Sequence, residues 1–135
     1  MLSRLDTSSR MQPSFAPFAV SQRDLDEVCS VIEIEGELDL ATAPRLKWTL
    51  VDALDAGRTR FVVDLSRASF MDSTALGVLV GVDRSLDQDA RLAIVCSGDA
   101  VSKIFELSGM DGVFAIFPTL EQALAHVRER AAEAG

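Results

Sequence analysis

Histidine and cysteine are scarce in this chain, and their scarcity removes most site chemistry at the outset. His126 is the single histidine of the 135 residues, whereas a metal centre takes three or four ligands. The two cysteines, Cys29 and Cys96, lack the paired spacing of a zinc site or a redox motif and read as buried, reduced thiols. Whether they meet is not decided by the sequence. No Gly-x-Ser-x-Gly nucleophile elbow is present. Nor is there a glycine-rich phosphate loop, because Gly77 and Gly81 fall inside a predicted helix. An enzyme of the Ser-His-Asp kind would have to bring His126 to a serine far away in sequence.

Basic side chains are also in short supply. Thirteen Lys and Arg stand against 21 Asp and Glu, a formal net charge of −8. A surface of that sign repels nucleic acid phosphates and anionic lipid heads, so neither nucleic acid nor membrane is an expected partner. Proteins with basic patches are favoured instead. No apolar run approaches the ~20 residues of a membrane-spanning helix. Met1–Arg10 lacks the apolar stretch of a signal peptide. A cytoplasmic location is expected.

What is present fits one globular domain: 48% hydrophobic and 25% charged residues over 135 positions. Residues 1–13 are expected to form a disordered arm and residues 14–135 the domain. A first strand is predicted over Ser14–Ser21, marked as an edge by Pro17. A polar turn at Gln22–Glu27 leads to a second strand, Val28–Glu35, with Ile32 and Ile34 on one face and Glu33 and Glu35 on the other. Thr42 is a candidate N-cap, with Pro44 in the first turn. The helix after it places Ala43, Leu46, Leu50 and Leu54 on one face and stops at Gly57.

Phe61–Leu65 reads as a strand buried on both faces. A helix is predicted over Ser73–Leu86, then a strand over Arg91–Cys96. Val101, Ile104 and Phe105 mark a short helix closed by Gly109, and Val113–Phe117 is the last strand. Thr119 with Gln122 forms a capping box for a final helix whose inner face is Leu120, Ala123, Leu124 and Val127. Arg128 and Arg130 suit the negative pole of that helix. The expected fold is α/β: a mostly parallel mixed sheet, opened by an N-terminal hairpin, with about four helices.

The most informative segment is Phe70-Met71-Asp72-Ser73-Thr74-Ala75-Leu76-Gly77. A hydroxyl pair follows an acid at the start of an apolar helix. Ser73 is expected at or near the N-cap, and a cap is the plain reading of it. The alternative is a phosphorylation site. A phosphate adds about −1.5 to −2 charges, which a helix N-terminus accommodates. Leu76, Val78, Leu79, Val80 and Val82 exceed one core stripe, so the helix is either nearly all buried or sticky on its outer side. Gly77 and Gly81 each weaken it by roughly 1 kcal/mol relative to Ala. Close backbone approach, to the sheet or to a partner, is the expected compensation.

Met71-Asp72-Ser73-Thr74 with Leu76-Gly77, the upstream Gly36-Glu37-Leu38-Asp39, and Ser108-Gly109-Met110 together resemble the STAS domain, and more narrowly the bacterial anti-sigma factor antagonists. The resemblance spans about Ser14–Arg130. It implies a non-enzymatic partner-switching regulator without a cofactor. The unphosphorylated antagonist would bind an anti-sigma factor that is also a serine kinase of the GHKL ATPase type, releasing the sigma factor. Phosphorylation would end that binding, and a PP2C-type phosphatase would restore it. Carried over, Ser73 is the phosphoacceptor and Thr74 a neighbour or secondary acceptor. Asp39 and Asp72 would flank them, and Ala75, Leu76 and Gly77 would complete the partner-binding segment. Ala75 stands where the family most often has Gly, which implies a firmer helix start and an altered kinase contact.

Two rival readings follow from the same residues. A STAS scaffold or sensor in a stress-signalling or transporter-associated assembly would use the domain without a phospho-switch. A two-component receiver would use Asp64, but Glu35 and Glu37 are split by Gly36, and Lys103 falls inside a helix. Trp48 is expected at the edge of the core or as an interface anchor. Asp83, Asp87 and Asp89 form an acidic cluster suited to solvent or to basic partner residues.

Overall fold

A computed structural model describes residues 18–97 and 100–129. The elements run β1 (Ala19–Asp24), β2 (Cys29–Leu38), α1 (Ala43–Asp55), β3 (Arg60–Met71), α2 (Ser73–Ser85), β4 (Arg91–Val95) and α3 (Ala100–Ser108). A 3-10 turn (Met110–Gly112), β5 (Ala115–Phe117) and α4 (Leu120–Arg128) follow. The strands lie in the order β1-β2-β3-β4-β5. Only β1 is antiparallel to its neighbour; β2 through β5 are parallel. This is the expected α/β architecture with its opening hairpin. The arm expected over residues 1–13, the strand start at Ser14–Pro17, and Arg130 lie outside the described residues.

Period-2 alternation divides the strand residues between two cores. Ile32, Ile34, Phe61, Val63, Leu65, Leu92 and Ile94 face one side, where Leu46 and Leu50 of α1, Leu76 and Leu79 of α2, and Val101 and Phe105 of α3 cover them. Cys29, Val31, Val62, Ala93 and Val95 face the other side, under Ala123 and Val127 of α4. Parallel crossovers have one hand, so strands added in sequence place their helices on one face. Only α4, which has no strand to return to, packs behind the sheet. Cys29 and Cys96 belong to opposite cores and do not pair.

Several boundaries differ from expectation, each for a visible reason. Gln22–Asp24 lie in β1 and not in a turn, because this edge strand's polar groups are satisfied locally: Gln22 donates to Asp24 (2.8 Å) and Arg23 approaches Glu33 (3.9 Å). The turn moves to residues 25–28, where the Asp26 carboxylate accepts from the Val28 and Cys29 N–H groups at 2.8 Å. β2 continues past Glu35 to Leu38 through an irregular register, with Gly36 at φ 97°, a conformation that glycine adopts freely. The extended β2 offers pairing sites, and the polar stretch after Leu65 takes them, so β3 reaches Met71. In α1 the buried face ends on Ala53, with Leu54 half-buried. Val113 closes the 3-10 turn, leaving β5 three residues long. α4 starts as expected: the Thr119 hydroxyl oxygen accepts from the Gln122 N–H at 3.2 Å.

The β1–β2 corner carries an acid-sensitive lock. Arg58 donates to Asp24 at 2.9 Å and to the Glu27 carbonyl at 2.9 Å, while buried Ser30 donates to Asp24 at 2.7 Å. The Arg58 hydrogen bond, reinforced by Gln22 and Ser30, holds the Asp24 carboxyl well below the usual carboxylate range. The Val28 and Cys29 amides lower Asp26 as well. A carboxyl depressed on folding stabilises the protein above its unfolded pKa of about 3.9. That stabilisation is lost as pH falls toward the folded value. Urea midpoints for the parent chain and Asp24→Asn should therefore differ most near neutrality and converge below about pH 5.

Candidate functional site

β2 and β3 end side by side, and that shared end builds the site. Leu38 pairs with Met71, and the Asp72 N–H donates to the Leu38 carbonyl at 3.2 Å. The loop after β2 thus lies against the start of α2. Within it the Asp39 carboxylate accepts from the Ala41 N–H (2.9 Å) and the Thr42 N–H (3.2 Å). The Thr42 hydroxyl donates to the Glu37 carbonyl (2.7 Å) and accepts from the Asp39 N–H (2.8 Å). Thr42 occupies the N-cap position of α1 but makes no side-chain cap there, because its hydroxyl is committed to this loop.

The cap of α2 is Asp72, not Ser73. The carboxylate of Asp72 accepts from the Ala75 N–H at 3.1 Å, and its backbone is extended, at φ −110° and ψ −178°. The bond from its own N–H to Leu38 favours that geometry and moves the helix start one residue along. Ser73 becomes the first helical residue, exposed, with no hydrogen-bond partner for its hydroxyl among the described residues. Thr74 beside it is also exposed, whereas Ala75 (0%) and Leu76 (8%) turn into the core. The helical period points these two side chains at the sheet. Gly77 returns to the surface.

A groove of about 520 Å³ opens between α1 and α2 from this point. Thr74, Gly77, Val78, Gly81, Val82 and Ser85 form one wall at three- and four-residue spacing, and Lys47 and Val51 of α1 form the other. A Cβ on Gly77 or Gly81 would meet nothing within 4 Å. The expected close backbone approach within the chain is absent, and the glycines instead deepen the groove. Trp48 is 56% exposed, with the Lys47 ammonium 5.3 Å from its ring centroid, so it is not part of the core edge. Leu40 (72%) and Phe70 (43%) are exposed at the same end of the sheet.

The rival chemistries find no support in the geometry. Asp64 lies within β3, and its carboxylate accepts from the Ser66 N–H (3.0 Å) and hydroxyl (2.7 Å). Lys103 is on α3. His126, on α4, sits 5.2 Å from the Phe117 ring and on the opposite side of the sheet from Ser73. Among the described residues no His, Cys, Asp and Glu cluster could hold a metal, and no helix is long and apolar enough to cross a membrane. In the acidic cluster, burial pushes the Asp83 carboxyl up, while Asp87 and Asp89 are exposed in a turn.

Residues 21–123 match the STAS domain family. The chain belongs to that family. This STAS domain is 32% identical over 99 residues to the anti-sigma-F factor antagonist RsfB of Mycobacterium tuberculosis, covering 73% of this chain and 81% of that one. It is 36% identical over 80 residues to the anti-sigma-B factor antagonist of Staphylococcus aureus, covering 58% and 74%. An anti-sigma factor antagonist from Mycobacterium paratuberculosis superposes with a TM-score of 0.78 at 30% identity, covering 84% and 96%. The phosphorylated form of the Bacillus cell fate determinant SpoIIAA gives a TM-score of 0.63 at 26% identity, covering 82% and 100%. The first three of these are named as anti-sigma factor antagonists.

Proposed function

We propose that this STAS protein is an anti-sigma factor antagonist that works by partner switching. Its unphosphorylated form binds an anti-sigma factor that is also a GHKL-type serine kinase, which frees the sigma factor. Phosphorylation of Ser73 ends the binding, and a PP2C-type phosphatase restores it. The observation that carries this reading is the state of Ser73: exposed, first in its helix and relieved of capping by Asp72. Phosphoryl transfer requires an acceptor hydroxyl that can align with the nucleotide, and a capping serine would have to leave its bond first. The helix N-terminus also tolerates the phosphate that results.

The partner's contact surface in this reading comprises the loop at Asp39, the helix start at Asp72, Ser73 and Thr74, and the groove beginning at Thr74 and Gly77. Incubation with candidate anti-sigma kinases and ATP should yield one phosphate on the peptide containing Ser73, removed by a PP2C-type phosphatase and absent in Ser73→Ala. Failure of every such kinase to modify Ser73, or release of Ser73→Ala by ATP as readily as the parent chain, would overturn the reading.

A further inference from the structure

The α1–α2 groove is mostly apolar, with hydroxyls at Thr74 and Ser85, and one charged side chain lines it. That residue is Lys47, which lines the groove with Thr74. Its ammonium does not point to a carboxylate; it rests over the exposed indole of Trp48, 5.3 Å from the ring centroid. At this end Asp72 caps α2 and Asp39 closes the neighbouring loop, while Arg45 stands in the first turn of α1. Arg45, the next cation on α1, lies 5.0 Å over the Phe18 ring, and Arg84 is in the last turn of α2. Of the cations on the two helices, Lys47 is the one that lines the groove together with Thr74, the neighbour of Ser73.

We infer that Lys47 is the switch's internal counter-charge. When Ser73 carries a phosphate, the Lys47 ammonium leaves Trp48 and pairs with it, which draws the lysine stem across the mouth of the groove. A cation over an exposed ring is held weakly and moves readily to a phosphate of about −1.5 to −2 charges. Phosphorylation would then act twice, by repelling the partner at Ser73 and by covering the apolar surface that the partner uses. This inference rests on Ser73 as the phosphoacceptor and adds to it a residue 26 positions upstream on another helix.

The test installs phosphoserine at position 73 during translation, so that no kinase is needed and failure of the kinase assay remains a separate result. Phosphorus NMR follows the second ionisation of the phosphate, near pH 6 when unperturbed. It should lie about half a pH unit lower in the parent chain than in Lys47→Gln, a shift within reach of an exposed ion pair. Lys47→Arg should restore the low value, and high salt should remove the difference. Trp48 is the only tryptophan, so its fluorescence reports departure of the lysine. Emission should change on phosphorylation in the parent chain and stay constant in Lys47→Gln. Equal phosphate titrations in the two proteins, or tryptophan emission blind to the phosphate, would overturn the inference.

Discussion

Ser73→Asp lowers affinity for the anti-sigma kinase on the order of a hundredfold and leaves the fold intact. The two halves of this expectation have separate causes. Ser73 is exposed and first in α2, and its hydroxyl bonds to no described residue, so its replacement breaks nothing. An acid in the first turn favours the helix dipole by about 0.3–1 kcal/mol, and stability should hold or rise slightly. Binding suffers because a kinase that phosphorylates this position must hold its nucleotide phosphates against it. A fixed carboxylate there meets like charge across a closed interface, a juxtaposition that costs several kcal/mol. Each 1.4 kcal/mol is about tenfold in affinity. Calorimetric titration with and without nucleotide checks the cause: the loss should be larger with ATP or ADP bound. An equal loss in the nucleotide-free kinase would place the effect in contact shape and not in charge.

The position of that serine shows how far the sequence could be read. Asp72 and Ser73 are both good caps, and their spacing to the apolar residues does not choose between them. The choice is made by the bond from the Asp72 N–H to Leu38, which comes from a strand over 30 residues away in sequence. The same limit applied to β3. The expected strand stops at Leu65, and the chain beyond it is strand only because β2 runs on to Leu38, pairing Glu35 with Arg67, Gly36 with Ala68 and Glu37 with Phe70. β2 was legible from its alternation, and β3 and β4 from continuous apolar runs, the pattern that burial on both faces writes. The Thr119 start of α4 was legible because a cap is local. Trp48 was expected at the core edge or as an interface anchor, and the first fails because it stands half a turn away from Leu46 and Leu50, off the buried stripe. The place of Lys47 was not legible, because which side chain of α1 shares a groove with Thr74 depends on how α1 and α2 are laid together.

Gly77→Ala with Gly81→Ala should make the protein more stable and a poorer antagonist. Both glycines lie within α2, and neither adopts a left-handed backbone. A Cβ at either position would meet nothing within 4 Å. The helix therefore gains about 0.8–1 kcal/mol per substitution, close to 2 kcal/mol for the pair. The same two methyl groups fill the floor of the groove that runs back from Thr74. A partner side chain shaped to that floor would be overpacked by about 1–3 kcal/mol, tenfold or more in affinity. Chemical denaturation and titration with the kinase measure the two effects on one variant. Higher stability with unchanged binding would remove the groove from the interface. Lower stability would mean that α1 closes on α2 more tightly than its open walls suggest. A helix weakened twice along the stripe where its own packing asks for nothing has its reason outside the monomer, and opposite signs in these two measurements are how that reason shows itself.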